Sequence, residues 1–238
     1  MSASRLLERR TIAEGTMAFH LEKPAGFDFR AGQTIDLKLP QLPDSTPGGN
    51  LRTFSLADDP SAAALLVATR MRGSAFKNEF AAMPLGGALD FEGPFGDFTL
   101  PNRDTRTIVL LAGGIGITPF RSMACDAAHR KLGHRIVMFY GNRRPEDAAF
   151  LGDLMALQSG NPRFTCVPVM SEMETSSRPW TGLHGLIDGK LMSEHLKQAH
   201  EPLYFIAGPP GMVTALRVTL HGTGVDDDDI RTEEFSGY

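Results

Sequence analysis

Cysteine is nearly missing from this chain of 238 residues: only Cys125 and Cys166 occur. Two thiols build neither an iron–sulfur cluster nor a cysteine-rich zinc site, so any such centre is expected on another protein. They also provide no disulfide framework, and a reducing, cytoplasmic location is the expectation. Positive charge is not in excess either. Lys and Arg number 24 against 28 Asp and Glu, a net charge of −4 that offers nucleic acid no basic field. No apolar run reaches the roughly 18 residues of a membrane span. The opening Met1-Ser2-Ala3-Ser4-Arg5-Leu6-Leu7-Glu8 lacks the apolar core of a signal peptide. The histidines show no ligand spacing, and His195 and His200 do not share a helix face well, so no metal site is expected. What remains is an ordinary globular composition, on a length that suits one large domain or two modest ones.

Up to residue 101 the chain reads as all-β. Runs rich in β-branched and aromatic residues, at 17–21, 34–39, 52–56, 65–70 and 88–92, recur between turn signals. That spacing suits a small antiparallel barrel. Pro43-Asp44-Ser45-Thr46-Pro47-Gly48-Gly49-Asn50 reads as a loop, and residues 75–83 as one short helix. Beyond residue 101 the pattern changes. Apolar runs at 108–111, 135–140, 163–169 and 203–207 alternate with helical stretches at 120–131, 145–158, 189–199 and 211–221. Residues 229–235 read as a closing strand. The alternation predicts a doubly wound parallel sheet with helices on both faces. The expected domains are 1–101, an antiparallel β-barrel, and 102–238, an α/β domain.

The second domain opens on Leu110-Leu111-Ala112-Gly113-Gly114-Ile115-Gly116-Ile117-Thr118-Pro119. A buried strand runs into a glycine turn and then a helix, with Thr118 expected at the N-cap and Pro119 at the first helical position. Glycines let the backbone approach an anion, and the free amides of the helix end attract it. Gly114-Ile115-Gly116 matches half of the dinucleotide fingerprint, but Pro119 replaces its third glycine. By itself the turn fits a phosphate cradle or an ordinary tight βα connection.

Further patterns stand in order along the chain: Ala31-Gly32-Gln33, Arg52-Thr53-Phe54-Ser55, Gly93-Pro94-Phe95-Gly96, Gly208-Pro209-Pro210-Gly211-Met212 and Glu234-Phe235-Ser236-Gly237-Tyr238. With the glycine turn, they resemble the ferredoxin–NADP reductase family of flavin-dependent reductases over nearly the whole chain. The resemblance implies an FAD-binding barrel followed by an NAD(P)-binding α/β domain, in a two-domain form without an iron–sulfur domain.

It also implies roles. Arg52 would meet the flavin's phosphate, and Thr53 stands beside it in the motif. Phe54, on the same side of the strand as Arg52, would lay its ring against the isoalloxazine, where the family more often has tyrosine; the other reading is a core phenylalanine. Ser55 would donate to flavin N5. Arg70 closes a strand whose main chain would lie along the flavin ring. Gly73, Ser74 and Ala75 would bring helix-start amides to the pyrophosphate, or simply cap a helix. Gly113, Gly114, Gly116 and Thr118 would hold the pyridine nucleotide's pyrophosphate. Gly208, Pro209 and Met212 would line its nicotinamide end. Ala207 stands where many members have cysteine. Glu234 would be the acid near the nicotinamide, and Phe235 or Tyr238 the aromatic cover of the flavin. A ribose-binding acid is missing after the 136–140 run. Arg143 and Arg144 stand there instead, as partners for a 2′-phosphate or as surface charges beside Glu146 and Asp147, so NADPH and NADH both remain open.

The implied function is hydride transfer from NAD(P)H to FAD N5, with Ser55 and Glu234 as catalytic residues. Electrons would then pass to a separate acceptor such as a ferredoxin or an oxygenase component. The alternatives are a non-catalytic flavin- or nucleotide-binding regulatory module and an electron-transfer subunit of a larger complex.

Overall fold

A computed structural model describes residues 1–101 and 106–235. The division expected between 101 and 102 falls at the edge of the undescribed stretch, and Tyr238 lies outside the described residues. The first sheet is antiparallel. Its strands are β1 (Ser2–Ala13), β2 (Thr16–Glu22), β3 (Thr34–Lys38), β4 (Leu51–Ser55), β5 (Ala64–Arg70) and β6 (Ala88–Phe95), in the order β4-β3-β6-β1-β2-β5. β1 is a strand that its polar sequence conceals. Ser4 and Leu6 point inward while Ala3, Arg5 and Leu7 are exposed, so only one face contributes apolar residues. The helix α1 (Ala75–Ala82) closes the barrel by burying Phe76 and Phe80, one turn apart, with Phe80 stacked on Phe19 at 3.9 Å. β4 and β5 are the two ends of the strand order, and they face each other across a cleft.

The second sheet is wholly parallel. It comprises β7 (Thr107–Gly113), β8 (Arg135–Asn142), β9 (Phe164–Met170), β10 (Leu183–His184), β11 (Leu203–Gly208) and β12 (Ile230–Glu234), in the order β10-β9-β8-β7-β11-β12. Every residue of β7 is buried, as an unbroken apolar run in a covered sheet requires. α2 (Ile117–His129) and α3 (Leu151–Gly160) pack on one face, α4 (Gly189–His195) and α5 (Pro210–Gly222) on the other. Among the described residues no helix is long and apolar enough to cross a membrane. The strand order reverses at β7: β8 and β9 lie to one side and β11 to the other. Such a switch point opens a crevice at the carboxyl ends of the strands.

The helix expected over 145–158 begins only at Leu151. Pro145–Asp147 form a 3-10 turn, and Phe150 adopts a left-handed φ of 58°. The acids that should favour a first helical turn are engaged elsewhere. Asp147 pairs with Arg144, and Glu146 accepts from the Ser176 hydroxyl at 2.8 Å and the Ser177 N–H at 2.9 Å.

The two sheets share one apolar cluster. Ala57, Leu66 and Ala68 of the barrel meet Ile115, Phe120 and Met123 at the start of the α/β domain. Arg121 fixes this contact. Its guanidinium donates to the Ala57 carbonyl at 2.8 Å and to Asp58 at 3.0 Å, and it also pairs with Asp153 at 3.2 Å. The Ser122 hydroxyl donates to the Asp58 carbonyl at 2.6 Å. Arg121→Ala is expected to lower stability by about 1.5–3 kcal/mol, the worth of a charge-assisted hydrogen bond. Urea unfolding followed by fluorescence checks this, and an unchanged midpoint would remove Arg121 as an interdomain fastener.

Candidate active site

The cleft between β4 and β5 has a volume of about 510 Å³. Arg52, Phe54 and Ser55 line it from β4, Ala68, Thr69 and Arg70 from β5, and Arg72, Ser74 and Lys77 from the start of α1. Ile115, Thr118 and Phe235 close it from the α/β domain. The fold therefore gathers the two barrel motifs and Phe235 into one space.

Its electrostatics are one-sided. Arg52, Arg70, Arg72 and Lys77 contribute cations, and no carboxylate is among the described lining residues. Burial holds the Lys77 ammonium below its ordinary pKa, and Arg52 and Arg72 lower it further. Cations packed closely enough to repel one another without a counter-charge suit an anion such as a pyrophosphate. Lys77 is held by the Arg70 carbonyl at 2.8 Å. Ser74 accepts from the Lys77 N–H at 3.3 Å as the cap of α1, with Gly73 in the turn before it at φ 70° and Ala75 opening the helix. Ser55 is buried, and among the described residues no side chain bonds its hydroxyl.

Several expected residues stand differently. Phe54 belongs to the barrel core. Its ring is 7% exposed and lies among Phe76 and Phe80, at 6.0 and 6.3 Å, so it forms cleft wall rather than an open platform. The Thr53 hydroxyl is spent on Asp36. Thr118 is not an N-cap: Gly114–Gly116 form a 3-10 turn that runs straight into α2, and the Thr118 hydroxyl donates back to the Ile115 carbonyl at 3.1 Å. It faces the cleft, not the crevice at the sheet's switch point.

A second groove, of about 540 Å³, lies at the sheet's switch point. Gly113, Gly114, Pro209 and Met212 form its floor, Asn142, Arg143 and Ser171 one end, and Arg70 and Arg72 the side toward the cleft. Gly116 does not line it; its role is packing. A Cβ there would stand 2.4 Å from the Ala207 carbonyl oxygen, so only glycine lets the β7 turn lie against the end of β11. Gly208 sits against Gly113, and its carbonyl accepts from the Phe235 N–H at 3.0 Å.

Arg144 is absent from the groove. It donates to both Asp147 oxygens at 2.9 Å and pairs with Glu14 at 3.2 Å and Glu146 at 3.6 Å. Three carboxylates engage it, and it ties the turn after β1 to the second domain rather than waiting for a phosphate. Arg143 stays at the groove, paired with Glu172 at 3.4 Å.

The two acids of the closing strand lie on opposite faces of the sheet. In the β11–β12 register Glu233 stands opposite Ala207 and Glu234 opposite Gly208. Ala207 belongs to the apolar cluster shared with the barrel, so Glu233 points to the barrel side. Glu234 points away, lining a shallow pocket with Val213 and Arg217 of α5. Among the described residues the buried Glu233 Oε2 has no hydrogen-bond partner, and burial pushes its carboxyl up to about 7. Phe235, two residues from Glu233, lines the cleft. Strand alternation carries this distinction: the acid on the aromatic's face is the one two residues before it.

The fold is shared with known proteins. The family model of the oxidoreductase NAD-binding domain matches residues 110–217. One component of the Na(+)-translocating NADH-quinone reductase of Haemophilus influenzae strain PittEE is 31% identical over 160 residues, 66% of this chain and 38% of that one. The chain thus spans under two fifths of that relative's length. The reductase component of phenol 2-monooxygenase from Pseudomonas sp. strain CF600 is 27% identical over 219 residues, 91% of this chain and 60% of that one. Among solved structures, the cytochrome P450 reductase GcoB of Amycolatopsis superposes with a TM-score of 0.83 at 26% identity, covering 98% of this chain and 69% of that one. A ferredoxin NADP+ reductase of Neisseria gonorrhoeae, solved with FAD and NADP bound, shares the fold at a TM-score of 0.80 and 22% identity, covering 98% of each. An antiparallel sheet with a cleft at its seam, joined to a parallel sheet with a crevice at its switch point, is the two-domain fold of ferredoxin–NADP reductases, and residues 110–217 of this chain match the oxidoreductase NAD-binding domain.

Proposed function

We propose that the chain is an FAD-dependent NAD(P)H reductase that serves a separate redox protein, such as a ferredoxin or an oxygenase component. One observation carries this reading: cleft and groove adjoin, with Arg70 and Arg72 lining both. Two cofactors bound in them would meet at the ends of β4, β7 and β11. FAD supplies an acceptor for a two-electron reductant that can release its electrons singly.

The chain's own residues bind, orient and shield. Arg52, Arg72 and Lys77 would neutralise the FAD pyrophosphate. Ser55, at the inner end of β4, would donate a hydrogen bond at the ring edge. Gly113 and Gly114 would let the dinucleotide backbone approach the head of α2, with Pro209 and Met212 against its nicotinamide end. Glu233 would keep a carboxyl on the barrel side of β12, and Phe235 would cover the ring until nicotinamide replaces it. Bringing the two reacting groups together in a water-poor space is the main catalytic contribution. The electron acceptor is inferred from the relatives that are reductase components. The division into a flavin domain ending near residue 101 and a nucleotide domain after it belongs to the same reading.

The purified protein should be yellow and lose its colour when NADH or NADPH is added without oxygen. Colour that persists with both would overturn the reductase reading in favour of a binding module.

A further inference from the structure

Asn142, Arg143 and Ser171 line one end of the groove, and Glu172 pairs with Arg143 there; none of the four has a role in the reading above. In a doubly wound sheet the ribose of a dinucleotide is read at the carboxyl end of the strand next to the first, commonly by an acid. Here that strand is β8. It ends on Asn142, and the sequence continues with two arginines. The acid arrives from the neighbouring strand instead. Beyond β9 the Ser171 N–H donates to the Asn142 carbonyl at 3.0 Å, and the Glu172 N–H to the Arg143 carbonyl at 2.8 Å. These bonds carry the β8–β9 pairing past the end of the sheet and bring the Glu172 carboxylate within 3.4 Å of Arg143 Nε.

Three further observations bear on what this end accepts. Arg144 is engaged by Glu14, Glu146 and Asp147 and adds no charge to the groove. Arg143 has its charge matched by Glu172. Asn142 lines the groove with its side chain buried, and among the described residues neither its Nδ2 nor its Oδ1 has a partner. A 2′-phosphate would bring a charge of about −1.5 to −2 to a carboxylate, with one already paired cation to receive it. A ribose with free hydroxyls meets an acceptor in Glu172 and an unengaged donor and acceptor in Asn142.

We infer that this groove selects NADH over NADPH, with Glu172 accepting from the adenosine 2′-hydroxyl and the Asn142 amide serving the same ribose. Arg143 acts as a positioning residue that holds the carboxylate at the rim. The inference rests on the groove being the nucleotide site.

The test is calorimetric titration of the flavin-loaded chain with NAD+ and with NADP+, alongside anaerobic reduction by NADH and NADPH. NAD+ is expected to bind roughly 10- to 150-fold more tightly, the factor that one charged hydrogen bond contributes. Glu172→Gln keeps the shape and removes the charge; it should weaken NAD+, strengthen NADP+ and narrow the gap about tenfold. Because the Glu172 side chain is 44% exposed, the variant should fold normally, and Arg143→Ala provides a second variant that frees the carboxylate and should weaken NAD+. NADP+ binding as tightly as NAD+, or a ratio unmoved by Glu172→Gln, overturns the inference and leaves the reductase reading standing. Binding of neither nucleotide overturns both.

Discussion

Ser55→Ala is expected to slow reduction by NAD(P)H on the order of 10²-fold while leaving FAD bound, the usual cost of removing one positioned donor from a reacting centre. The expectation rests on position. Ser55 is the last residue of β4, at the inner end of the cleft, and is only 5% exposed. Its neighbour Thr53 spends its hydroxyl on Asp36, and Phe54 spends its ring on the barrel core, so the serine supplies the motif's remaining hydroxyl. Retention of the cofactor separates this role from binding, because the cations that fit the pyrophosphate lie toward α1 and are untouched. Stopped-flow reduction at saturating nucleotide measures the rate. A rate within about twofold of wild type would sink the role, since it falls far short of a typical donor effect.

How much of this was legible in the sequence depends on whether the signal was local. The parallel sheet was, because β7, β8, β9 and β11 are buried on both faces and read as continuous apolar runs. The barrel was legible except for β1, where one face is solvated and the run Leu7-Glu8-Arg9-Arg10 hides a strand that pairs with both β2 and β6. The glycine turn was legible as a strand-to-helix connection but not in detail. Thr118 looked like a cap because serine and threonine usually are; the 3-10 turn before it supplies the helix entry and sends its hydroxyl backward.

Side-chain partners were the illegible part. Arg143 and Arg144 are adjacent and chemically identical, yet one faces the groove and the other a cage of carboxylates from the turns after β1 and β8. Nothing local in the sequence pairs Glu14 with Arg144 across 130 positions. Nor does anything local pair Glu172 with Arg143: the extension of the β8–β9 pairing brings them together, and on the proposed reading the ribose acid comes from the strand beside β8. The two closing acids were separable in principle, because alternate strand residues share a face. Counting back from Phe235 selects Glu233.

That selection makes Glu233→Gln the sharper of the two acid substitutions. At about pH 8, above the Glu233 pKa, it should slow flavin reduction about tenfold or more, by loss of a charge-assisted contact, while Glu234→Gln stays within about twofold of wild type. It also has a signature in stability, with a definite sign. Burial raises the folded-state pKa of Glu233 from 4.5 to about 7. Below pH 4.5 the carboxyl is protonated in both the folded and the unfolded chain, and the folded state bears no charge penalty. Between pH 4.5 and 7 the unfolded chain has released the proton and the folded one still holds it, so stability falls by about 1.4 kcal/mol per pH unit. Above about pH 7 the loss is complete, at up to about 3 kcal/mol. Glutamine fills the same space and stays neutral throughout. Glu233→Gln should therefore gain up to about 3 kcal/mol over wild type between about pH 4.5 and about pH 8, whereas Glu234→Gln, on the open face, should show no such gain. Urea unfolding of both variants and the wild type at the two pH values reads the difference. Parallel behaviour of the two variants would mean that Glu233 is not held in the dry space between the domains, and the acid of the active site would have to be sought elsewhere.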